Sequence, residues 1–197
     1  MTAPLPDLDA PCGDGFVYRD LIECGETWHR LVAHDDGNAA EQYIPVELNT
    51  YEAIEDLCST ILVPVRREFG SLVLTYGFAS RALTRAIPRG IAPSLDQHAG
   101  HELSSGGKPR CARLGLAVDF RVEGVDLFRV AAWIAEHCAF DRLYVYGPDR
   151  PLHVSVAPRA DRAPGRQIVR VDVAPSGRRI PRRLSLADLL RAAPSGA

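Results

Sequence analysis

The chain has 197 residues, 46% of them hydrophobic, with 23 basic against 25 acidic side chains for a formal charge of −2. That size supports one domain with a sizeable core, and the near-neutral balance excludes a chain that holds polyanions by its overall charge. No apolar run reaches the ~18 residues of a membrane helix and no leader-like segment is visible, while five widely spaced cysteines predict reduced thiols and a cytoplasmic setting.

Residues 1–15 are rich in Pro, Gly and Asp and read as an irregular arm. GFVYRDLIECGETWHRL alternates only loosely; Cys24 and His29 lie close within it, but no second pair follows, so they read as packing residues. HDDGNAAEQ is a turn-rich loop. A helix is expected from about Thr50 to Glu68, with Asn49 as its cap and Glu52 as the reciprocal partner. Ile54, Leu57, Ile61, Leu62, Val65 and Phe69 form its core stripe. Pro64 falls inside the stripe and should kink or end the helix early. SLVLTYG then reads as a short strand, ASRALTRAI as a brief helix and PRGIAPS as a loop.

SLDQHAGHEL suits one or two helical turns capped by Ser94, which would place His98 and His101 on one face. After the flexible SSGGKP comes a strand, RLGLAVDFRV. Leu116, Val118, Phe120 and Val122 share one of its faces; Gly115, Ala117 and Asp119 share the other, a small surface with one acid that suits a pocket floor. Asp126 caps a second helix, LFRVAAWIAEHCAF, with Leu127, Val130, Ala131, Ile134 and Cys138 on its buried stripe. LYVYG, LHVSVAP and RQIVRVDVA read as strands, and SLADLLRAA as a terminal helix opened by Ser185 and Asp188. Consecutive short strands predict an α+β fold, an antiparallel sheet flanked by helices. From Arg159 to Arg183 there are eight arginines against two aspartates, either a solvated strand and linker or a phosphate-facing surface.

The chemistry concentrates on two strands. Asp119 and His153 are two of the three protein ligands that a catalytic zinc takes, and His98 or His101 supplies a third. Such a site keeps a position open for water and lowers its pKa to near 7. Asp149 and Asp141 are placed to move protons. A histidine in an alternating strand also serves as a hydrogen-bonded structural group, so His153 alone decides nothing.

Between Leu72 and Val156, the blocks TYGFAS, GLAVDF and LHVSV stand in an order, with a helix between the last two, that resembles the zinc D-alanyl-D-alanine carboxypeptidases and their Hedgehog-like fold relatives. Gly115, Ala117 and Asp119 match the family's S-x-H-x-x-G-x-A-x-D in register, and His153 matches the final histidine of E-P-W-H. The resemblance implies a Hedgehog/D-Ala-D-Ala peptidase-like fold of bacterial type, zinc held by Asp119 and His153, and hydrolysis of an amide-type bond in a small or peptide-like substrate. Three positions depart: the first zinc histidine falls on Ala112, the catalytic glutamate on Arg150, and the arginine that holds the substrate carboxylate on Ala79. His98, His101 or Cys111 as thiolate is left to complete the ligand set, and Asp149, re-aimed by a bulge, to act as base.

The expectation is thus a single domain over 1–197, with a peptidase-like core at 70–157 and a basic strand or linker and helix at 158–197, acting as a zinc-dependent hydrolase. The alternative is a metal-free derivative that binds a partner or nucleic acid through Arg159, Arg162, Arg166, Arg170, Arg178 and Arg179. YRDLIECGETW, LTYGF and CARLGLAVDF also resemble a domain of bacterial proteins linked to DNA phosphorothioation, which implies the same nucleic-acid association. No G-x-G-x-x-G loop follows a strand, which excludes a Rossmann-type cofactor fold.

Overall fold

A computed structural model describes residues 4–32, 40–87, 93–160 and 165–193. Most of the HDDGNAAEQ and PRGIAPS segments, and Arg162, lie outside them.

The N-terminal arm carries more order than its composition suggests. Pro11–Gly13 (β1) and Phe16–Val17 (β2) pair as a small antiparallel hairpin, and two short helices follow, Tyr18–Ile22 (α1) and Glu26–Val32 (α2).

The long helix survives Pro64. It runs as Leu48–Leu57 (α3), a π turn at Cys58–Leu62, and Val63–Phe69 (α4). A proline removes one amide donor and crowds the carbonyl four residues back. The wider π turn just before Pro64 absorbs that mismatch, so the helix continues where an early stop was expected. Its start differs too. Glu47, not Asn49, is the capping residue, and it makes no side-chain cap of its own. Glu102 supplies the anion from a distant loop: one carboxylate oxygen accepts from the Val46 and Glu47 amides and from Thr50 Oγ1, each at 3.1 Å.

Leu72–Tyr76 (β3) opens a six-stranded sheet, and Arg81–Ala86 (α5) follows it. The sheet continues with Leu116–Val122 (β4), Arg142–Val145 (β5), Leu152–Val156 (β6), Gln167–Val173 (β7) and Arg179–Leu184 (β8) in the order β3-β4-β6-β5-β7-β8. All pairs are antiparallel except β5 with β7, which are parallel. The mixed α+β class and the mostly antiparallel sheet agree with expectation. The edge strand β8 was not foreseen, because its RIPRRL lacks alternation and holds a proline that only an edge tolerates.

The sheet has two unlike faces. Leu116, Val118 and Phe120 of β4, Leu152 and Val154 of β6 and Leu143 and Val145 of β5 are fully buried in the main core with α3, α4 and Leu127–His137 (α6). Each such aliphatic side chain contributes about 1.5–3 kcal/mol over leaving it in water. Asp126 caps α6, accepting from the Phe128 amide at 2.7 Å, and Ser185 and Asp188 form a capping box on Leu186–Ala192 (α7). On the opposite face, the register aligns Asp119 with His153, His153 with Tyr144, and Ala117 with Ser155. A segment from the β3–β4 connection lies over that polar centre. Among the described residues no helix is long and apolar enough to cross a membrane.

Candidate metal centre

Two glycines set the stage. Gly115 enters β4 at φ 70°, and a Cβ there would meet the Val156 carbonyl at 2.0 Å, so only glycine lets the strand start this close to β6. Gly77 ends β3 under the Leu21 carbonyl, which a Cβ would also meet at 2.0 Å. The chain can then turn through Gly77–Ser80 and pair with a single turn of 3-10 helix, Gln97–Ala99. The Ala79 amide donates to the His98 carbonyl at 2.8 Å, and His98 Nδ1 donates to the Gly77 carbonyl at 2.8 Å.

The flanking residues fasten this turn. Asp96 accepts from the His98 amide at 3.1 Å. Gln97 is the clamp: its Nε2 donates to the Leu114 carbonyl and to Asp141 Oδ2, both at 3.1 Å, and its Oε1 accepts from Ser155 Oγ at 2.9 Å. Ser155 sits two residues beyond His153 on the same face of β6, so the turn and the strand move as one.

With Nδ1 donating to a carbonyl, His98 presents Nε2 as a lone pair, the arrangement that fixes the tautomer of a metal-binding histidine. Nε2 lies 3.2 Å from His153 Nδ1 and 3.2 Å from Asp119 Oδ1, and His153 Nδ1 lies 2.7 Å from the same oxygen. Ligand atoms on a tetrahedral zinc, with bonds of about 2.0–2.1 Å, stand roughly 3.3 Å apart. Two edges of the triangle match that spacing. The third is shorter, at the length of a hydrogen bond from His153 Nδ1–H to the Asp119 carboxylate. The His98–Asp119–His153 cluster can therefore hold a metal ion.

Burial and charge suit that role. Burial opposes ionisation of Asp119, yet the His98 and His153 imidazoles outweigh it and hold the carboxyl well below the usual range. Burial alone would depress His98; the Asp119 carboxylate reverses this and raises it. Both imidazoles are buried, while the Asp119 side chain keeps 26% of its surface, so the cluster is approached from the carboxylate side. Three protein ligands with an open side describe a catalytic geometry better than a closed structural one.

The other candidates lie elsewhere. Gly100, at φ 59°, ends the 3-10 turn, so His98 and His101 do not share a helical face as expected. His101 Nε2 instead accepts from the Gly115 amide at 3.2 Å, which uses its lone pair on the backbone. Cys111 is fully buried and outside the cluster. Asp149 and Arg150 are exposed, and Asp149 lines a separate cavity of about 640 Å³ with Glu123, Asp126 and Pro148, which none of the three ligands reaches. Asp141 accepts from Gln97 and serves the clamp.

Several participants escaped sequence reasoning. Tyr76 packs on the His98 ring at 4.3 Å between centroids, and Tyr144 stands edge-on to His153 at 5.1 Å. Tyr146 is pushed up to about 12 by burial and by the Asp119 charge, and Cys24 to about 12 chiefly by burial. Alternation in LYVYG puts Tyr144 and Tyr146 on one side of their strand, but only the strand register shows which side.

Four of the eight arginines in the basic run are engaged by the protein itself. Arg159 pairs with Glu52, Glu55 and Asp56 at 3.2, 3.0 and 2.8 Å. Arg166 donates to the Cys138 and Ala135 carbonyls at the end of α6 and lies over Phe140. Arg170 and Arg182 share Asp172 at 2.7 and 3.6 Å. Arg178, Arg179 and Arg183 are exposed at the β8 edge.

No protein-family model, no curated protein and no solved structure matches this chain.

Proposed function

We propose that the protein is a divalent-metal hydrolase, with zinc the best-fitting ion, that cleaves amide-type bonds on a repurposed D-Ala-D-Ala peptidase-like scaffold. One observation carries the reading: three metal-competent atoms from the β3–β4 connection, β4 and β6 converge to within 4.8 Å of one another, with the His98 tautomer fixed by the Gly77 carbonyl. In the resemblance of Leu72–Val156 to the zinc carboxypeptidases, the first ligand position is Ala112, and His98 reaches the cluster from the preceding loop in its place.

A bound divalent ion would polarise a carbonyl and acidify water at neutral pH. The chain's own residues do the rest. Asp119, ionised and reachable, and the two buried imidazoles fix the geometry. The Tyr146 phenol, shifted upward by burial and by the Asp119 charge, stays protonated at neutral pH and is the candidate donor toward charge that develops on a substrate oxygen or a leaving nitrogen. Asp149 and Arg150 take no part.

The test is the metal content of protein purified without chelators, with thermal unfolding in the presence and absence of added zinc. About one equivalent and a zinc-dependent rise in melting temperature are expected. Less than about a tenth of an equivalent, with no thermal response to zinc, rules the reading out.

A further inference from the structure

Away from the metal centre, β1 crosses the outer side of the π turn. A Cβ on Gly13 would meet Cys58 Cβ at 2.7 Å, so the hairpin backbone rests directly on the helix at this point. The approach brings Cys12 Sγ to 3.4 Å from Cys58 Sγ, although 46 positions separate them in the chain. Both thiols are free and buried, Cys12 at 6% and Cys58 at 0% exposure. It is the one cysteine pair in contact among the described residues.

We infer that Cys12 and Cys58 form a reversible disulfide site that fastens the N-terminal hairpin to the π turn of the long helix. The sulfurs need to close from 3.4 Å to about 2.05 Å, a change within reach of small side-chain rotations because the hairpin already lies against Cys58. The hairpin is short, with three residues in one strand and two in the other, so it can lift locally without disturbing the sheet.

The two thiols have unequal roles. Cys12 lies on the liftable strand and retains some exposure, whereas Cys58 is sealed in the helix. The hydrogen bond to Cys12 together with burial pushes the Cys58 thiol up, so Cys58 stays protonated, and Cys12, on the strand that can lift, is the sulfur that meets the oxidant. With a hydroperoxide, Cys12 thiolate takes one oxygen to become a sulfenic acid, and the peroxide leaves as water or alcohol. Cys58 then attacks the Cys12 sulfur, the S–O bond breaks, the S–S bond forms, and the hydroxyl departs with the Cys58 proton as water. A low-mass disulfide gives the same product by two thiol exchanges and leaves as two thiols.

The full-length protein is treated with hydrogen peroxide, then denatured for thiol titration and digested without reductant for mass spectrometry. Titratable thiols should fall from the five in the sequence to three, with a Cys12–Cys58 cross-linked peptide that dithiothreitol releases. Closing a loop of this size should raise the melting temperature by roughly 5–15 °C, reversibly. Cys12→Ser and Cys58→Ser should each abolish both changes, and Cys24→Ser should leave both intact. If Cys58→Ser fails to fold, Cys12→Ser alone carries the comparison. Five thiols remaining after treatment, a cross-link between other cysteines, or an oxidised protein that melts lower than the reduced one would overturn the assignment. None of these outcomes depends on the metal centre.

Discussion

The centre of the sheet and its arginine-rich edge stand out in the sequence for the same reason, a concentration of polar residues where a core might be. Their fates in the fold are opposite. At the centre, His98, Asp119 and His153 arrive from three separated segments, and their metal-competent atoms lie within 4.8 Å of one another with an approach left open. Along the arginine run, Arg159 is ringed by three carboxylates, Arg166 serves two carbonyls, and Arg170 and Arg182 divide Asp172 between them, while Arg178, Arg179 and Arg183 stay exposed. Crowding in the sequence is therefore a poor guide to a site. What separates the two regions is whether the polar atoms are already satisfied by the protein itself.

The sharpest way to break that contrast is to remove a ligand. His98→Ala, His153→Ala or Asp119→Ala should each reduce bound zinc from about one equivalent to below about a tenth, by elemental analysis of protein purified without chelators. The melting-temperature rise with zinc at about a hundred times its dissociation constant, on the order of 5–10 °C for a chain of this length, should vanish in all three. Arg166→Ala should do the reverse. It strips the carbonyls at the end of α6 of their donor and uncovers Phe140, costing about 1–2 kcal/mol in denaturant unfolding while leaving zinc content unchanged. If zinc content fell with Arg166→Ala, or survived all three ligand substitutions, the division between centre and edge would be wrong.

Much of the framework was legible because it rests on local rules. The alternation in RLGLAVDFRV placed Asp119 opposite the core face, Asp126 and Ser185 announced their helices, and the stripe from Ile54 to Phe69 survived its proline. The triangle of ligands was only half legible. Nothing local distinguishes His98 from His101, three positions on in the same glycine-bearing loop. The distinction comes from Gly100 turning the chain at positive φ, and from Gly77, a residue over twenty positions away, offering its carbonyl to His98. Gln97 carried no signal of its own within the expected helical turn; its three side-chain bonds exist only once β4 and β6 are paired. β8 was missed because an exposed, basic, proline-bearing edge carries no hydrophobic period.

His101 offers a smaller and more discriminating test, because it separates two histidines that the sequence treats alike. Its ring must be neutral to accept from the Gly115 amide, and burial lowers its pKa in the folded state. A histidine depressed on folding contributes stability above its unfolded value of about 6.5, and that contribution is lost as pH falls through the lowered value. His98 is shifted the other way, so its contribution in zinc-free protein is present at low pH and lost as pH rises. His101→Gln keeps an acceptor without a titrating ring. The zinc-free variant should therefore lose less stability than the zinc-free wild type between about pH 7.5 and 5.5, with zinc content unchanged at pH 7.5. A pH response identical to wild type would show that His101 is not the group the Gly115 amide depends on.

The smallest expected effect is at Asp149. It was the sequence's candidate for a general base, one position before the place where the peptidases that the sequence resembles carry glutamate. The fold leaves it exposed, on the wall of a cavity with Glu123 and Asp126, and the β5–β6 connection does not bring it to the ligands. Asp149→Ala should shift stability by less than about 0.5 kcal/mol, as surface substitutions do, and leave zinc stoichiometry untouched. Once an amide substrate is in hand, its turnover should change by less than about twofold, whereas a true general base contributes about 10²–10⁴-fold. A loss in that larger range would mean the connection closes over the cluster during turnover and brings the carboxylate with it. That result would leave the ligand triangle intact and move the proton chemistry from Tyr146 to the loop that the sequence first indicated.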